Sequence, residues 1–174
     1  MTGSFKEDLG RVQAFVFDVD GVFSDGSLLL SPDGELIRGM NIKDGFAVQL
    51  AVRKGFPIAI ITGGNSEAVR KRFNLLGIDD VYLKSSRKID DFNHFLDKHS
   101  LNADNVLYMG DDLPDYPVMK KAGFPACPRD AVTEIRQISG YVSDRPGGQG
   151  CVRDVIEQVL RVHGKWMDAD TFIL

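Results

Sequence analysis

Short apolar runs alternate along this chain with longer stretches of helical periodicity, and this alternation constrains the fold more than any other feature. Residues 12–17 (VQAFVF) are apolar except for Gln13, rich in β-branched and aromatic types, and too few for a buried helix. They read as a strand covered on both faces. Residues 57–61 (PIAII), 81–83, 106–109 and 124–127 read as further strands. Helical patterns separate them. Asp44 is expected to cap a helix that runs to about Lys54 and closes at Gly55. Asn65 or Ser66 caps the next, where Val69, Phe73 and Leu76 recur at i, i+4 and i+7 before Gly77. Ile89, Phe92 and Leu96 mark a third, and Pro117 suits the first turn of a helix near Tyr116. Val152, Val155, Ile156, Val159 and Leu160 define the last, and the tail from Gly164 continues no such pattern. Strands separated by helices imply right-handed βαβ units. The expected fold is therefore α/β, a Rossmann-like doubly wound parallel sheet. One segment departs from it. Leu28-Leu29-Leu30 and Glu35-Leu36-Ile37 flank Ser31-Pro32-Asp33-Gly34, a turn sequence in which proline presets φ and glycine accepts positive φ. A β-hairpin inserted after strand one is predicted there. A length of 174 residues suits one domain, expected to span residues 1–174.

Several function classes fall away. A net charge of −4 lacks the positive field that a broad nucleic-acid surface needs, so no nucleic-acid partner is expected. No apolar run approaches the ~20 residues of a membrane span, and residues 1–10 show no basic-then-apolar leader. Cys127 and Cys151 are too few for a disulfide framework and lack metal-ligand spacing. The expectation is a cytoplasmic protein with reduced thiols and no membrane partner.

Ligands of open parallel sheets bind beyond the carboxyl ends of the strands, so those ends carry the functional reading. Strand one runs into Asp18 and Asp20, which alone fit a polar loop equally well. The strand at 106–109 runs into Gly110-Asp111-Asp112-Leu113-Pro114-Asp115. If the two ends are neighbours, Asp18, Asp20, Asp111, Asp112 and Asp115 share one edge. Like charges so close need protons or a cation. Oxygen donors without His or Cys suit Mg²⁺. Thr62-Gly63-Gly64-Asn65 leaves another strand and opens a helix, supplying a hydroxyl and backbone amides for an anion. Lys84, Arg87 and Lys88 follow the next strand, and composition does not choose among them. Together the strand ends offer a nucleophile, an acid/base, a metal cradle and a phosphate clamp.

The order Asp-x-Asp-Gly-Val, Thr-Gly, Lys, Gly-Asp-Asp-x-x-Asp, from 18 to 115, resembles the haloacid-dehalogenase superfamily of phosphohydrolases. The resemblance implies Asp18 as nucleophile and Mg²⁺ ligand, and Asp20 as general acid/base with its backbone carbonyl on the metal. It implies Thr62 and Gly63 at the phosphate, Lys88 as the neutralising lysine, and Asp111 as a second carboxylate ligand of the metal. More narrowly, residues 18–26, the hairpin, Asn41-Ile42-Lys43-Asp44-Gly45, the 110–119 stretch and Gly147-Gly148-Gln149-Gly150-Cys151-Val152-Arg153-Asp154 are similar to the 3-deoxy-D-manno-octulosonate 8-phosphate phosphatases. That likeness implies a small-molecule sugar-acid phosphate as substrate, Lys43 and Arg153 among the substrate-binding residues, no large cap domain, and a homotetramer in which the hairpins meet. The tail, with Trp166, would then reach an adjacent site or lie exposed. Related nine-carbon sugar-acid 9-phosphate phosphatases share the same motifs, and a phosphatase of the same superfamily acting on another small phosphate ester is a further alternative. A catalytically silent interaction subunit is the reading of another class, and an Asp18→Asn exchange without effect on activity would mark it.

Overall fold

The computed structural model describes residues 8–172. Strand β1 (Ala14–Phe17) lies near the middle of a parallel sheet, flanked by β4 (Ile58–Ile61) and β6 (Val106–Met109). Phe15 sits opposite Ile58 on one side and Leu107 on the other. The chain steps outward from β1 through β4 to β5 (Asp80–Tyr82), then returns to the other side of β1 for β6, β7 (Phe124–Cys127) and β8 (Tyr141–Val142). The sheet order is β5-β4-β1-β6-β7-β8, with every pairing parallel. The direction of winding reverses at β1, which makes its carboxyl end the place where a crevice opens.

Alternate residues of β1 feed two cores, as the period of a strand requires. Phe15 and Phe17 face α1 (Ile42–Arg53), α2 (Glu67–Leu75) and α6 (Cys151–Val162). Ala14 and Val16 face α3 (Lys88–His99), α4 (Tyr116–Met119) and α5 (Thr133–Ile138). Phe17, Phe23 and Phe73 stack edge to face across the first core. The inserted hairpin is present: β2 (Leu29–Leu30) pairs antiparallel with β3 (Leu36–Ile37) through a turn in which Gly34 has φ +85°. Among the described residues no large cap covers the sheet.

Several local expectations change. Asn41, extended at ψ 126°, is the N-cap of α1, and its side chain accepts from the Lys43 amide at 2.9 Å. Asp44 instead lies inside the first turn, fully buried, and accepts the Arg153 amide at 2.7 Å. The extended backbone at Asn41 starts the helix earlier than Asp44 alone suggests. Ser66 occupies the N-cap of α2 without a side-chain cap bond. Helix α5 and edge strand β8 carry no sequence signal of their own; β8 is two half-exposed residues. Trp166 packs on the body of its own chain, between the guanidinium groups of Arg153 and Arg161. Among the described residues no helix is long and apolar enough to cross a membrane.

Candidate active site

The Asp18 amide donates to the Met109 carbonyl at 3.0 Å, so the β1–β6 ladder delivers Asp18 beside the start of the Gly110-Asp111 loop. Lys88, the first residue of α3, reaches between them. Its Nζ donates to Asp18 Oδ2 at 2.8 Å and to Asp115 Oδ1 at 2.7 Å. All three are buried, at 7% exposure for Asp18, 6% for Lys88 and 0% for Asp115. A charge so far from water must be paired, and each of these is.

Asp115 is spent on holding the others. The buried Tyr108 hydroxyl donates to its Oδ1 at 2.6 Å, and the amides of Asp111 and Asp112 donate to its Oδ2 at 3.2 and 3.4 Å. Gly110 permits this fold-back, since a Cβ there would overlap the Asp115 carboxylate. Asp112 turns back as well, capping the 3₁₀ turn Leu113–Asp115 in a reciprocal capping box with Asp115.

Asp18, Asp111 and Asp115 each offer an oxygen within 4.8 Å of the others. Burial, then the Asp115 charge, pushes Asp18 up to about 7 against the pull of Lys88. Burial, then Asp18 and Asp115, pushes Asp111 up to about 8. Burial works against the charge on Lys88, but Asp18 and Asp115 outweigh it and its pKa rises. A single ammonium therefore leaves this group of carboxylates short of positive charge. Asp111 Oδ1 is buried without a hydrogen-bond partner. The backbone at Gly21 (φ +85°) closes over the same carboxylate so tightly that a Cβ would overlap it. An oxygen-only donor set with an unpartnered buried oxygen fits a hard divalent cation between Asp18 and Asp111.

The phosphate side comes from β4. Thr62, 3% exposed, leaves the strand with its Oγ1 accepting the Gly64 amide at 3.1 Å. A cavity of about 520 Å³ lies over these groups, lined by Asp18, Asp20, Thr62, Gly63, Gly64, Ser85, Lys88 and Asp111 among others. The residues that the motif order assigns to acid, base, phosphate and metal thus meet in one place. Lys43 and Arg153 do not join them. Both line a separate depression with Phe46 and Arg72, and Arg153 Nε lies 3.5 Å from Glu157.

Three contributors have no signal in the motifs. Tyr108 reads as an ordinary core residue of a strand. Ser85, whose buried Oγ has no partner, lies in a loop after β5. Arg38 comes from the end of the hairpin, and its Nε and Nη2 donate to the two oxygens of Asp20 at 2.6 and 3.1 Å. The separation of 18 positions between Arg38 and Asp20 hides that pair from any local pattern.

Residues 41–123 match the haloacid dehalogenase-like hydrolase family. The chain is 36% identical over 159 residues to the 3-deoxy-D-manno-octulosonate 8-phosphate phosphatase KdsC of Escherichia coli K12, covering 91% of this chain and 85% of that one. The crystal structure of the 3-deoxy-D-manno-octulosonate 8-phosphate phosphatase of Yersinia pestis superimposes with a TM-score of 0.90 at 31% identity, over 93% of this chain and 88% of that one. The Moraxella catarrhalis phosphatase, solved with magnesium, phosphate and KDO, gives 0.88 at 29% identity over 92% of both chains.

Proposed function

The chain belongs to the haloacid dehalogenase-like hydrolases and is similar over most of its length to the 3-deoxy-D-manno-octulosonate 8-phosphate phosphatases, and from that premise we propose that it hydrolyses 3-deoxy-D-manno-octulosonate 8-phosphate through a phosphoryl group held covalently on Asp18. The observation that carries this reading is the buried Asp18–Lys88–Asp115 arrangement beside the unpartnered oxygen of Asp111.

In this mechanism a carboxylate oxygen of Asp18 attacks phosphorus. The bond from phosphorus to the sugar oxygen breaks, and Asp20 gives that oxygen a proton. Asp20 then takes a proton from a water molecule, whose oxygen attacks the acyl phosphate. Inorganic phosphate leaves and Asp18 is restored. Thr62 Oγ1, the Gly63 amide and Lys88 hold the phosphoryl oxygens throughout, and Lys88 balances charge on both nucleophile and phosphate. Asp18, Asp111 and the Asp20 carbonyl would hold Mg²⁺, which supplies positive charge to the phosphoryl oxygens when bound. The magnesium in the Moraxella relative supports that choice of ion.

The proposal extends to assembly. Leu29, Leu30 and Ile37 of the hairpin are more than half exposed, an apolar surface suited to meeting the hairpins of other copies in a homotetramer. Lys43 and Arg153 lie apart from Asp18 within one chain, so in this reading they serve the sugar acid across such an interface. The free, buried thiols of Cys127 and Cys151 suit a reducing cytoplasm.

Phosphate release with Mg²⁺ from a panel of sugar phosphates tests the proposal. Strong preference for the eight-carbon ulosonate 8-phosphate, abolished by Asp18→Asn, is expected. Preference for a nine-carbon 9-phosphate would move the substrate and keep the mechanism. Activity surviving Asp18→Asn would reject the nucleophile.

A further inference from the structure

Gly147 and Gly148 stand far from Asp18 and Asp20 in sequence, yet they pack on the loop that carries both. Gly147 is buried, and a Cβ there would stand 2.0 Å from the Gly21 carbonyl oxygen and 3.0 Å from that of Ser24. Its backbone is not left-handed, so space alone demands glycine at this position. The next residue ties the same loop down. The Gly148 amide donates to the Val22 carbonyl at 2.9 Å, and the buried Cys151 thiol donates to that oxygen at 3.2 Å.

Gly21 presses in turn on Asp111, whose carboxylate oxygen would lie 1.9 Å from a Cβ at Gly21. The contacts continue around a ring. The Asp111 carbonyl accepts the Val132 amide at 3.0 Å, and Asp130 Oδ1 accepts the Gly147 amide at 2.9 Å. The Arg129 amide joins the same two loops again by donating to the Arg145 carbonyl at 3.0 Å. Gly147, Gly21, Asp111 and the 130–132 segment therefore close on one another. The Asp20 carbonyl, assigned to the cation with Asp18 and Asp111, belongs to the peptide that enters Gly21. A push on Gly21 moves that ligand directly, and moves Asp111 through the contact with its carboxylate.

We propose that Gly147 is a positioning residue for the cation site: the loop before α6 seats the Gly21 backbone where Asp18, Asp111 and the Asp20 carbonyl converge on one ion. This deepens the proposed function and rests on its assignment of that ion. Groups behind metal ligands hold them in place, and their loss typically weakens the metal. A glycine packed against backbone for stability alone is present for contrast. A Cβ at Gly123 would stand 2.1 Å from the Asp104 carbonyl oxygen, at the amino ends of β6 and β7 and so at the opposite edge of the sheet.

The test is calorimetric titration with Mg²⁺ of the wild-type chain, Gly147→Ala, Gly123→Ala, Asp130→Ala and Asp130→Asn, each below the melting temperature it shows without metal. Both glycine variants should melt earlier, but only Gly147→Ala should bind Mg²⁺ about tenfold or more weakly. Asp130→Ala frees the Gly147 amide without any overlap and should weaken Mg²⁺ in the same direction. Asp130→Asn removes the same charge but keeps an acceptor, and should recover much of the affinity. This pair decides the matter if Gly147→Ala does not fold. Wild-type affinity in Gly147→Ala, an equal loss in Gly123→Ala, or Asp130→Ala binding as well as Asp130→Asn would reduce Gly147 to a packing position and overturn the proposal. A wild-type chain that binds no Mg²⁺ would reject the cation site itself, and the positioning role with it.

Discussion

Asp115 never meets solvent, yet Tyr108, Lys88 and the amides of its own loop all converge on it. It fixes the ammonium that Asp18 needs, so losses around it should reach the chemistry without touching substrate. Tyr108→Phe removes one donor from a buried carboxylate and should destabilise the fold by about 1–3 kcal/mol. It should also lower kcat about tenfold with KM little changed, since a positioning contact is lost and a binding contact is kept. Urea denaturation and steady-state kinetics check both. A second consequence follows from the raised pKa values of Asp18, about 7, and Asp111, about 8. Raised carboxylates mean that the metal-free fold keeps protons its unfolded chain has shed. This contribution to stability is full below pH 3.8 and is lost as pH rises through 7 and 8. Mg²⁺ must displace those protons, so its affinity should climb across the same window. Calorimetry in buffers of different ionisation enthalpy should show about one proton released per ion near pH 7, vanishing by about pH 9.5. Uptake of protons, or none exchanged at pH 7, would count against the cation site. Asp18, Thr62 and Asp111 become legible only when the strand ends are read together, since each alone fits an ordinary polar loop or turn. Lys88 was not separable from Lys84 and Arg87 by composition. Tyr108 was hidden because a tyrosine in an apolar strand looks like packing until its hydroxyl finds Asp115.

Helices α1 and α6 are joined by a buried charge. Asp44 accepts the Arg153 amide at the start of α6, an N-terminus that offers no side-chain cap of its own, while Asp44 Oδ2 has no hydrogen-bond partner. Burial, partly offset by the Arg153 and Gly150 amides, raises its pKa to about 6. Raised again means stability present at low pH and lost as pH rises through 6. Asp44→Asn keeps an acceptor for the Arg153 amide and does not titrate. Relative to wild type, the variant should therefore gain stability between pH 4 and 7.5, by up to about 3 kcal/mol. Denaturant melts at the two pH values measure the difference; a difference independent of pH would mean that Asp44 is not strained in its charged form. The elements themselves show what a sequence can and cannot reveal. Strands β4, β6 and β7 are legible because they are buried on both faces and so carry unbroken apolar runs. Edge strand β8, two half-exposed residues, has no such run, and its place is set by pairing with β7. Asp44 looked like a cap because acidic residues favour first turns, while the cap is decided by the extended backbone of Asn41.

The chain as a whole divides its unpaired surface unevenly. Its C-terminal segment is tied back onto α1 and α6: Lys54 bonds Asp168 at 2.5 Å, Lys165 donates to the Lys54 carbonyl at 3.1 Å, and Trp166 lies against Arg153 and Arg161. Lys165, Trp166 and Asp168 of the tail therefore pack on their own chain. The hairpin does the opposite. Leu30 is 78% and Leu29 68% exposed on a ribbon that rests on little else, and two paired residues per strand make a poor structure by themselves. An isolated ribbon of that length is held by what it packs on, a support that the proposed assembly would supply. Arg38, which bonds Asp20, sits at the foot of the same ribbon. Leu29→Asp with Leu30→Asp should reduce the mass in light scattering toward the 19.2 kDa of one chain. The main sheet lies elsewhere, so the melting temperature of the sheet core should change little. With the ribbon unsupported and Lys43 and Arg153 of a neighbour withdrawn, KM for the acid ester should rise about tenfold or more. Hydrolysis of a neutral phosphate ester, which uses Asp18, Thr62 and Lys88 from one chain, should persist. A variant that stays assembled would place the interface elsewhere; one that separates with full selectivity would show that each chain reads the sugar acid unaided.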